Sequence, residues 1–441
     1  MSRRFHTLLL FLALLPSSAR AQSYDDLFGQ AAALSARGDY TAAIDKFRVA
    51  LKLRPGAPEA LSNLGVMYHM AARYGEAVET MDAVVKSNPD LFPARLILGL
   101  DLIHLQRSAD AIVHLEAARR LNASSTEALY GLAAAYLGAD RLQAAAALYE
   151  TRTQTAPVEA DAWYGLGLCY ERMAEAASRA LSRTPGGGAL DKRFLSEFLI
   201  DRGENRLAEE ALREAVALER EPPTPAAQEA YRQARALAER SRRAFTRLLE
   251  VAPEAWQSRL FLADLNRQQR HFDEAIQDYE AVERSQPDNS APAIGLATVY
   301  WELGQFDKSE QYLRRVLAAN PKASQALFQL GNIRVRQRRD EEALPLLAAF
   351  LQQQPDSLFA CADLGKAYFH LGRYRAAVPY LQKARPIDER GDLHYQLATA
   401  LRELHLPKEA AAALEVSAEL RRRSLERDQR LKSPDPSLPH R

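Results

Sequence analysis

The chain has 441 residues, 47% of them hydrophobic and 26% charged, the balance of a folded chain long enough for several domains or one long array. Its 58 basic and 57 acidic side chains leave a formal net charge of +1, so no global field favours nucleic acid or an acidic substrate. Two cysteines, Cys169 and Cys361, are too few for a disulfide framework; each falls in an apolar helical stretch and is expected to pack as a small hydrophobe.

Arg3 and Arg4 precede an apolar run from Leu8 to Leu15, and Ala19-Arg20-Ala21 follows with small residues two apart. That order predicts a secretory signal peptide over residues 1–21, cleaved after Ala21, and a periplasmic or secreted mature protein. The run is shorter than the roughly 20 residues a membrane span needs. No cysteine follows it to carry a lipid, and no later stretch is apolar enough to cross a membrane. The mature chain is expected to be soluble, without membrane insertion.

From residue 22 onward the chain repeats itself. A small residue recurs at Ala43, Ala77, Ala111 and Ala145, in steps of 34. Upstream of the later copies stands a second pattern: Leu64-Gly65-x-x-Tyr68, Leu98-Gly99-x-x-Leu102, Leu132-Ala133-x-x-Tyr136 and Leu166-Gly167-x-x-Tyr170. Ala275, Ser309, Ala343 and Ala377 continue the same step, and Pro287, Pro321 and Pro355 keep pace with them. The Tyr lies four residues from the Leu and three from the Gly, so the three share one helix face. Gly or Ala there lets a neighbouring helix approach closely. Gly38, Gly304 and Gly372 fall between paired helices, where a left-handed C-cap suits glycine. The prolines end each second helix and turn the chain into the next unit.

This pattern resembles the tetratricopeptide repeat, with Trp163-Tyr164-Gly165-Leu166-Gly167-Leu168-Cys169-Tyr170 its fullest copy. The resemblance implies an all-α fold, a right-handed α-α superhelix, and covers about Tyr24 to Leu420. Counting second helices by Ala43, Ala77, Ala111, Ala145, Ala208, Ser241, Ala275, Ser309, Ala343, Ala377 and Ala410 gives about eleven helix-turn-helix units.

The phase breaks once. After Ala145 the next small residue is due at 179, where Arg179 stands; phase returns at Ala208, leaving about 29 extra residues. The helical pattern runs on past Tyr170 through Met173, Ala177 and Leu181 to a turn at Pro185-Gly186-Gly187-Gly188. Leu190 to Leu218 reads as a degenerate unit turning at Gly203, and after Glu221-Pro222-Pro223 a charged helix extends to about Glu250. The expected organisation is therefore an N-terminal array over 22–173, an irregular helical insertion over 174–255, a C-terminal array with a capping helix over 256–425, and a disordered tail over 426–441. The insertion reads either as a hinge or extra surface, or as repeat decay tolerated because units touch mainly their neighbours.

No catalytic chemistry is expected. The nine histidines have no metal spacing: His104 and His114 are ten apart, His394 and His405 eleven. There is no H-E-x-x-H, C-x-x-C or G-x-S-x-G, and the glycines 186–188 lack the Lys-Ser/Thr of a phosphate loop. The reading is of a non-enzyme with no metal and no cofactor.

Function is expected on the surface. In the family resembled, first helices line a concave face, which implies that side chains opposite the Leu-Gly-Tyr stripe meet a partner. In the N-terminal half these are Leu96, Leu100, Ile103, Tyr130 and Tyr164, an apolar and aromatic series, with Leu137 and Leu168 beside them. In the C-terminal half Trp301, Phe328, Asn332 and Arg336 are followed by Lys366, Phe369, Tyr395 and Arg402. That second set mixes aromatics, cations and amides, suited to an extended peptide or an acidic tail. The Lys-x-x-x-Asn carboxylate clamp of chaperone cofactors is absent, because Phe328 replaces its lysine and Asp363 follows on the next helix. The chain thus reads as an exported scaffold or adaptor for a protein or extended peptide, with no nucleic acid partner. The alternative is a structural part of a cell-envelope assembly or polysaccharide-export machine.

Overall fold

The computed structural model of the chain describes residues 23–201, 205–219 and 222–432. The expected signal segment, the turn at Gly203 and residues 433–441 of the expected tail lie outside them. The described residues are all helix and turn. The first helices in chain order are α1 (Tyr24–Ala36), α2 (Tyr40–Leu53), α3 (Pro58–Met70), α4 (Tyr74–Ser87), α5 (Phe92–His104), α6 (Ser108–Leu121), α7 (Thr126–Gly138) and α8 (Leu142–Thr155). The middle holds α9 (Ala160–Arg183), α10 (Gly188–Asp201), α11 (Asn205–Leu218) and α12 (Pro225–Val251). Then come α13 (Trp256–Gln268), α14 (Phe272–Ser285), α15 (Ser290–Glu302), α16 (Phe306–Ala319), α17 (Ser324–Arg336), α18 (Asp340–Gln353), α19 (Leu358–His370), α20 (Tyr374–Ala384), α21 (Asp392–Glu403) and α22 (Pro407–Lys432). The chain divides into two compact units, Met1–Leu148 and Tyr149–Arg441, with the division inside α8.

Local chemistry starts and stops these helices. Ser23 opens α1 with a reciprocal capping box to Asp26, and Asp39 caps α2 through the Ala42 amide at 3.1 Å. Pro58 and Pro93 stand in the first turns of α3 and α5, where a missing N–H loses no hydrogen bond. Gly38, Gly304 and Gly372 have φ of +78°, +72° and +70°, the left-handed turns expected between paired helices. At the matching turns of other repeats Ala72, Gln106, Asp140, Arg270, Arg338 and His405 also adopt positive φ. The left-handed residue is thus a property of the repeat, and glycine only one way of meeting it.

In the first unit, α1 packs on α2, α3 on α4 and α5 on α6. The contact tightens where the first helix lacks a side chain. A β-carbon added to Gly65 would meet Met81 Cε at 2.8 Å, and one on Gly99 would overlap Leu115. Ala43, Ala77 and Ala111 are fully buried from the second helix. In the second unit α13 to α22 pair in the same sequence order. A β-carbon added to Gly331 would stand 2.7 Å from Leu347, and one added to Gly365 2.9 Å from Leu381. One buried cation interrupts this apolar interior. Arg334, 2% exposed, is held by Glu310, by Glu342 at 3.1 Å and by Gln337 at 3.1 Å, so its charge and donors are answered.

The middle corrects the expected unit order. α9 packs chiefly on α12, while α10 and α11 form a hairpin of their own. Ser241 of α12 donates to the Gly167 carbonyl at 3.0 Å, as Ser309 of α16 donates to the Ala297 carbonyl of α15 at 2.7 Å. A β-carbon added to Gly167 would stand 2.7 Å from Phe245, the α9–α12 counterpart of Gly331 against Leu347. Ser241 therefore occupies the second-helix position due at 179, displaced by 62 residues (241 − 179). α9 and α12 are the two helices of one repeat, and the hairpin is inserted between them. Ala208, which marks the return of phase in the sequence, is a core residue of that hairpin at 2% exposure. In chain order the described helices make ten pairs plus one inserted hairpin. The reason is visible at Ala174, where other repeats turn left-handed: here the backbone stays helical to Arg183.

The hairpin is bound to its host repeat. Ala174, Phe194 and Ala234 form a small core of α9, α10 and α12. Ser178 donates to Asp191 at 2.5 Å, and Tyr231 to Glu197 at 2.7 Å. Thr224 caps α12 and donates to the Pro185 carbonyl at 2.9 Å. At the far end, α22 continues past the expected limit of 425 to Lys432. Glu419 pairs with Arg422 and, at 2.7 Å, with Arg423 one turn on, which supports this exposed stretch.

A left-handed alanine or glutamine is strained by about 1–2 kcal/mol, offset in part by the roughly 0.5–1 kcal/mol of backbone entropy that glycine loses. Ala72→Gly and Gln106→Gly are therefore each expected to raise the unfolding free energy by about 0.5–1 kcal/mol in urea denaturation. Destabilisation by either would contradict the turn assignment.

Candidate functional interface

The thirteen residues expected to face a partner fall into three groups. Leu96, Leu100 and Ile103 are half-buried and pack against the core of α4 to α7. Leu100 Cδ2 stands 2.9 Å from where Gly131 would carry a β-carbon, so it fills the gap between successive first helices. Tyr130 is half-buried on α7. Phe328 lies against Phe350 at 5.1 Å between ring centres, and Phe369 against Tyr374 at 5.7 Å, both as packing residues. Tyr395 and Arg402 are exposed on α21, with the Arg421 guanidinium 5.0 Å from the Tyr395 ring. These eight and Tyr164 do not join one site.

The other four are brought together. Asn332 on α17 accepts from Trp301 Nε1 of α15 at 3.1 Å and from Arg336 Nε at 3.0 Å. Its Nδ2 donates to Asp363 Oδ2 of α19 at 2.6 Å, and Lys366 Nζ donates to Asp363 Oδ1 at 3.4 Å. The Arg336 guanidinium sits 4.8 Å from the Trp301 ring centre. A polar ladder therefore crosses three successive first helices, each step going to a residue 31 further on. Because successive repeats are 34 residues apart, a step of 31 lands one helical turn earlier in the next first helix. Beside it Gln329 donates to Thr298 at 2.8 Å across the same step.

Asp363, 6% exposed, is the residue that sequence reasoning did not place in the set. The signal for it is an acid inside an otherwise buried stretch, Ala360-Cys361-Ala362-Asp363-Leu364. With Asn332 bonded to Asp363, its amide is committed within the protein, in keeping with the absent carboxylate clamp. The ladder carries two cations, Arg336 and Lys366, against one buried carboxylate. Its solvent side thus presents positive charge beside an aromatic face, suited to a carboxylate or backbone carbonyls.

Tyr164 stands apart on α9, edge-on to Phe245 at 6.2 Å and to Trp256 at 6.1 Å. Burial, then the charges of Asp264 and Glu171, push its hydroxyl pKa well up. Both cysteines are buried free thiols, and burial pushes Cys169 up to about 11 and raises Cys361. Among the described residues no group of three or more His, Cys, Asp or Glu is arranged to hold a metal ion. None of the described helices is long and apolar enough to cross a membrane.

The first unit has its own polar pair. Asp101, fully buried on α5, has Oδ1 2.6 Å from His69 Nδ1 of α3, while Oδ2 is buried without a hydrogen-bond partner among the described residues. His104 stacks on Tyr74 at 4.1 Å nearby. Burial pushes the Asp101 carboxyl up, against the opposing hydrogen bond and charge of His69. The folded state thus holds this proton more tightly than the unfolded chain. The stabilising effect is complete below the unfolded value near pH 4 and is lost as pH rises through the folded value. Asp101→Asn keeps an acceptor for His69 and removes the titration. Its unfolding free energy relative to wild type is expected to increase from about pH 4 to pH 7; a constant difference across that range would contradict it.

Tetratricopeptide repeat profiles match residues 28–91, 98–154, 225–290, 294–357 and 360–384. No curated protein matches the chain. Among solved structures it is similar to MamA from Desulfovibrio magneticus RS-1, 21% identical over 38% of this chain and 95% of that one, with a TM-score of 0.35. It is also similar to yeast Tom70, 16% identical over 93% of this chain and 97% of that one, with a TM-score of 0.34. The profile matches span more than half of the sequence: the chain belongs to the tetratricopeptide repeat family.

Proposed function

We propose that this protein is an exported, non-catalytic adaptor that grips an extended segment of a partner along the first helices α15, α17 and α19. Proteins of this family bind protein partners, and the ladder through Trp301, Asn332, Asp363 and Lys366 is the observation that carries the finer reading. It spends hydrogen-bonding groups on fixing side chains across three repeats, which lowers the entropy lost when a ligand binds. Arg336 is exposed at its edge and can reach a ligand carboxylate in bidentate fashion, while Trp301 offers a flat apolar face. The segment best suited is extended, with an acidic side chain near an apolar one. Arg3, Arg4, the apolar run and Ala19-Arg20-Ala21 support export through a cleaved signal.

The test is binding of labelled peptides selected from a display library on the purified chain. Trp301→Ala and Arg336→Ala are each expected to weaken the selected peptides about tenfold or more. Arg375→Ala, exposed on the second helix α20, is expected to leave them unchanged. Equal affinity in all three variants would remove the ladder from function. Export is read separately: the protein recovered outside the cytoplasm should begin at Gln22, and retention inside with residues 1–21 intact would overturn that half.

A further inference from the structure

The last second helix departs from the others at one repeat position. Four residues after its small residue, a second helix buries a large side chain: Phe47, Met81, Leu115, Leu313, Leu347 and Leu381 are each 0% or 1% exposed. Leu414 of α22 stands at that position, four after Ala410, and is 50% exposed. Elsewhere the following first helix helps to cover the residue; a β-carbon added to Gly131 of α7 would meet Leu115 of α6 at 3.2 Å. No first helix follows α22 among the described residues. Instead α22 runs to 26 residues, where α18 has 14 and α20 has 11.

The uncovered side of α22 is a stripe. Leu414, Ala418, Arg421 and Leu425 follow at steps of four, three and four, and line one recess with Tyr395 of α21. Leu425 is 63% exposed. Arg421 is answered within the chain, 3.6 Å from Asp392 and 5.0 Å from the Tyr395 ring centre. Glu419 serves both Arg422 and Arg423, two guanidinium groups on one carboxylate. Glu415 is exposed and engages no ion pair among the described residues.

We infer that this stripe is a homodimer interface, on which α22 of a second copy lies antiparallel. The stripe complements itself. A two-fold axis midway between 418 and 421 sets Leu414 against Leu425 of the second copy, and small Ala418 against the stem of Arg421, each contact occurring twice. The same axis brings Glu415 beside Arg422 of the second copy, so an unpaired carboxylate meets the surplus cation. A parallel pair would instead stack Arg421 on its own copy.

Head-to-tail stacking is excluded by α1. The third residue of a first helix packs on the preceding second helix: Ala326 shares a core with Leu313 and Val316, and Ala360 with Phe350. In α1 that residue is Asp26, exposed and committed to the capping box with Ser23. Seating α1 on Leu414 would bury its carboxylate against an apolar surface. The interface uses no residue of the Trp301–Lys366 ladder and does not depend on it.

Sedimentation equilibrium on the full chain from about 1 to 100 μM tests this, with twice the chain mass expected at the upper end. Leu414→Glu and Leu425→Glu, checked for unchanged helix content, are each expected to weaken dimerisation about tenfold or more. Glu415→Arg and Arg422→Glu each set like charges together and are expected to weaken it about fivefold. Mixing these two charge variants restores both attractions and is expected to recover a heterodimer. A monomer throughout the range, a dimer indifferent to Leu414→Glu, or a mixture no tighter than its components would each overturn the inference.

Discussion

Each first helix meets its own second helix over a residue that carries no side chain, or only a methyl. Gly65 against Met81, Gly331 against Leu347 and Gly365 against Leu381 are the same contact in three repeats, always 16 residues apart. Such approach lets backbone lie near backbone and gives each large second-helix side chain a place to bury. The contact is unforgiving, since a single added carbon at Gly331 would stand 2.7 Å from Leu347. It therefore sets helix register, and register sets which first-helix side chains can reach the next repeat.

The insertion becomes intelligible under that constraint. Gly167 and Phe245 make this contact across 62 additional residues, and Ser241 repeats the serine-to-carbonyl bond of Ser309. A repeat contributes to stability mainly through contact with its neighbours, so an excursion between its two helices is tolerated if both return to register. α9 and α12 do return, and their lengthened ends carry α10 and α11 on a core of Ala174, Phe194 and Ala234. The same lengthening brings Phe198 into the lining of one cleft with Tyr164 and Phe245.

Much of the fold was legible because small residues and prolines recur with mechanical necessity. The long helix to the glycine turn, the hairpin and the second long helix all stand where the spacing put them. Their grouping was not legible: Ala208 lies in a helix that also needs a small residue, so phase alone cannot tell an inserted hairpin from a repeat. The left-handed turns at Gln106 and Arg338 were equally hidden, since backbone strain at a non-glycine residue is imposed by packing. Of the ladder, Trp301, Asn332, Arg336 and Lys366 were visible as polar or aromatic residues off the core stripe. Leu96, Leu100 and Ile103 were misleading for a geometric reason: their side of α5 also meets the following helices, and apolar side chains there fill that seam. Asp101 went unremarked and Asp363 was left out of the partner-facing set, because the role of a buried acid is recognisable only through the partner that answers it.

The pairing of α9 with α12 is the claim on which the middle of the protein rests, and a double-mutant cycle between Gly167 and Phe245 tests it directly. Gly167→Ala adds the carbon that meets the Phe245 ring, and Phe245→Ala removes the ring. If the two helices belong to one repeat, the alanine at 167 is destabilising beside Phe245 and much less so beside Ala, giving a coupling of about 0.5–3 kcal/mol in denaturant unfolding. Additive effects would mean that the two residues do not touch, and would place the insertion elsewhere.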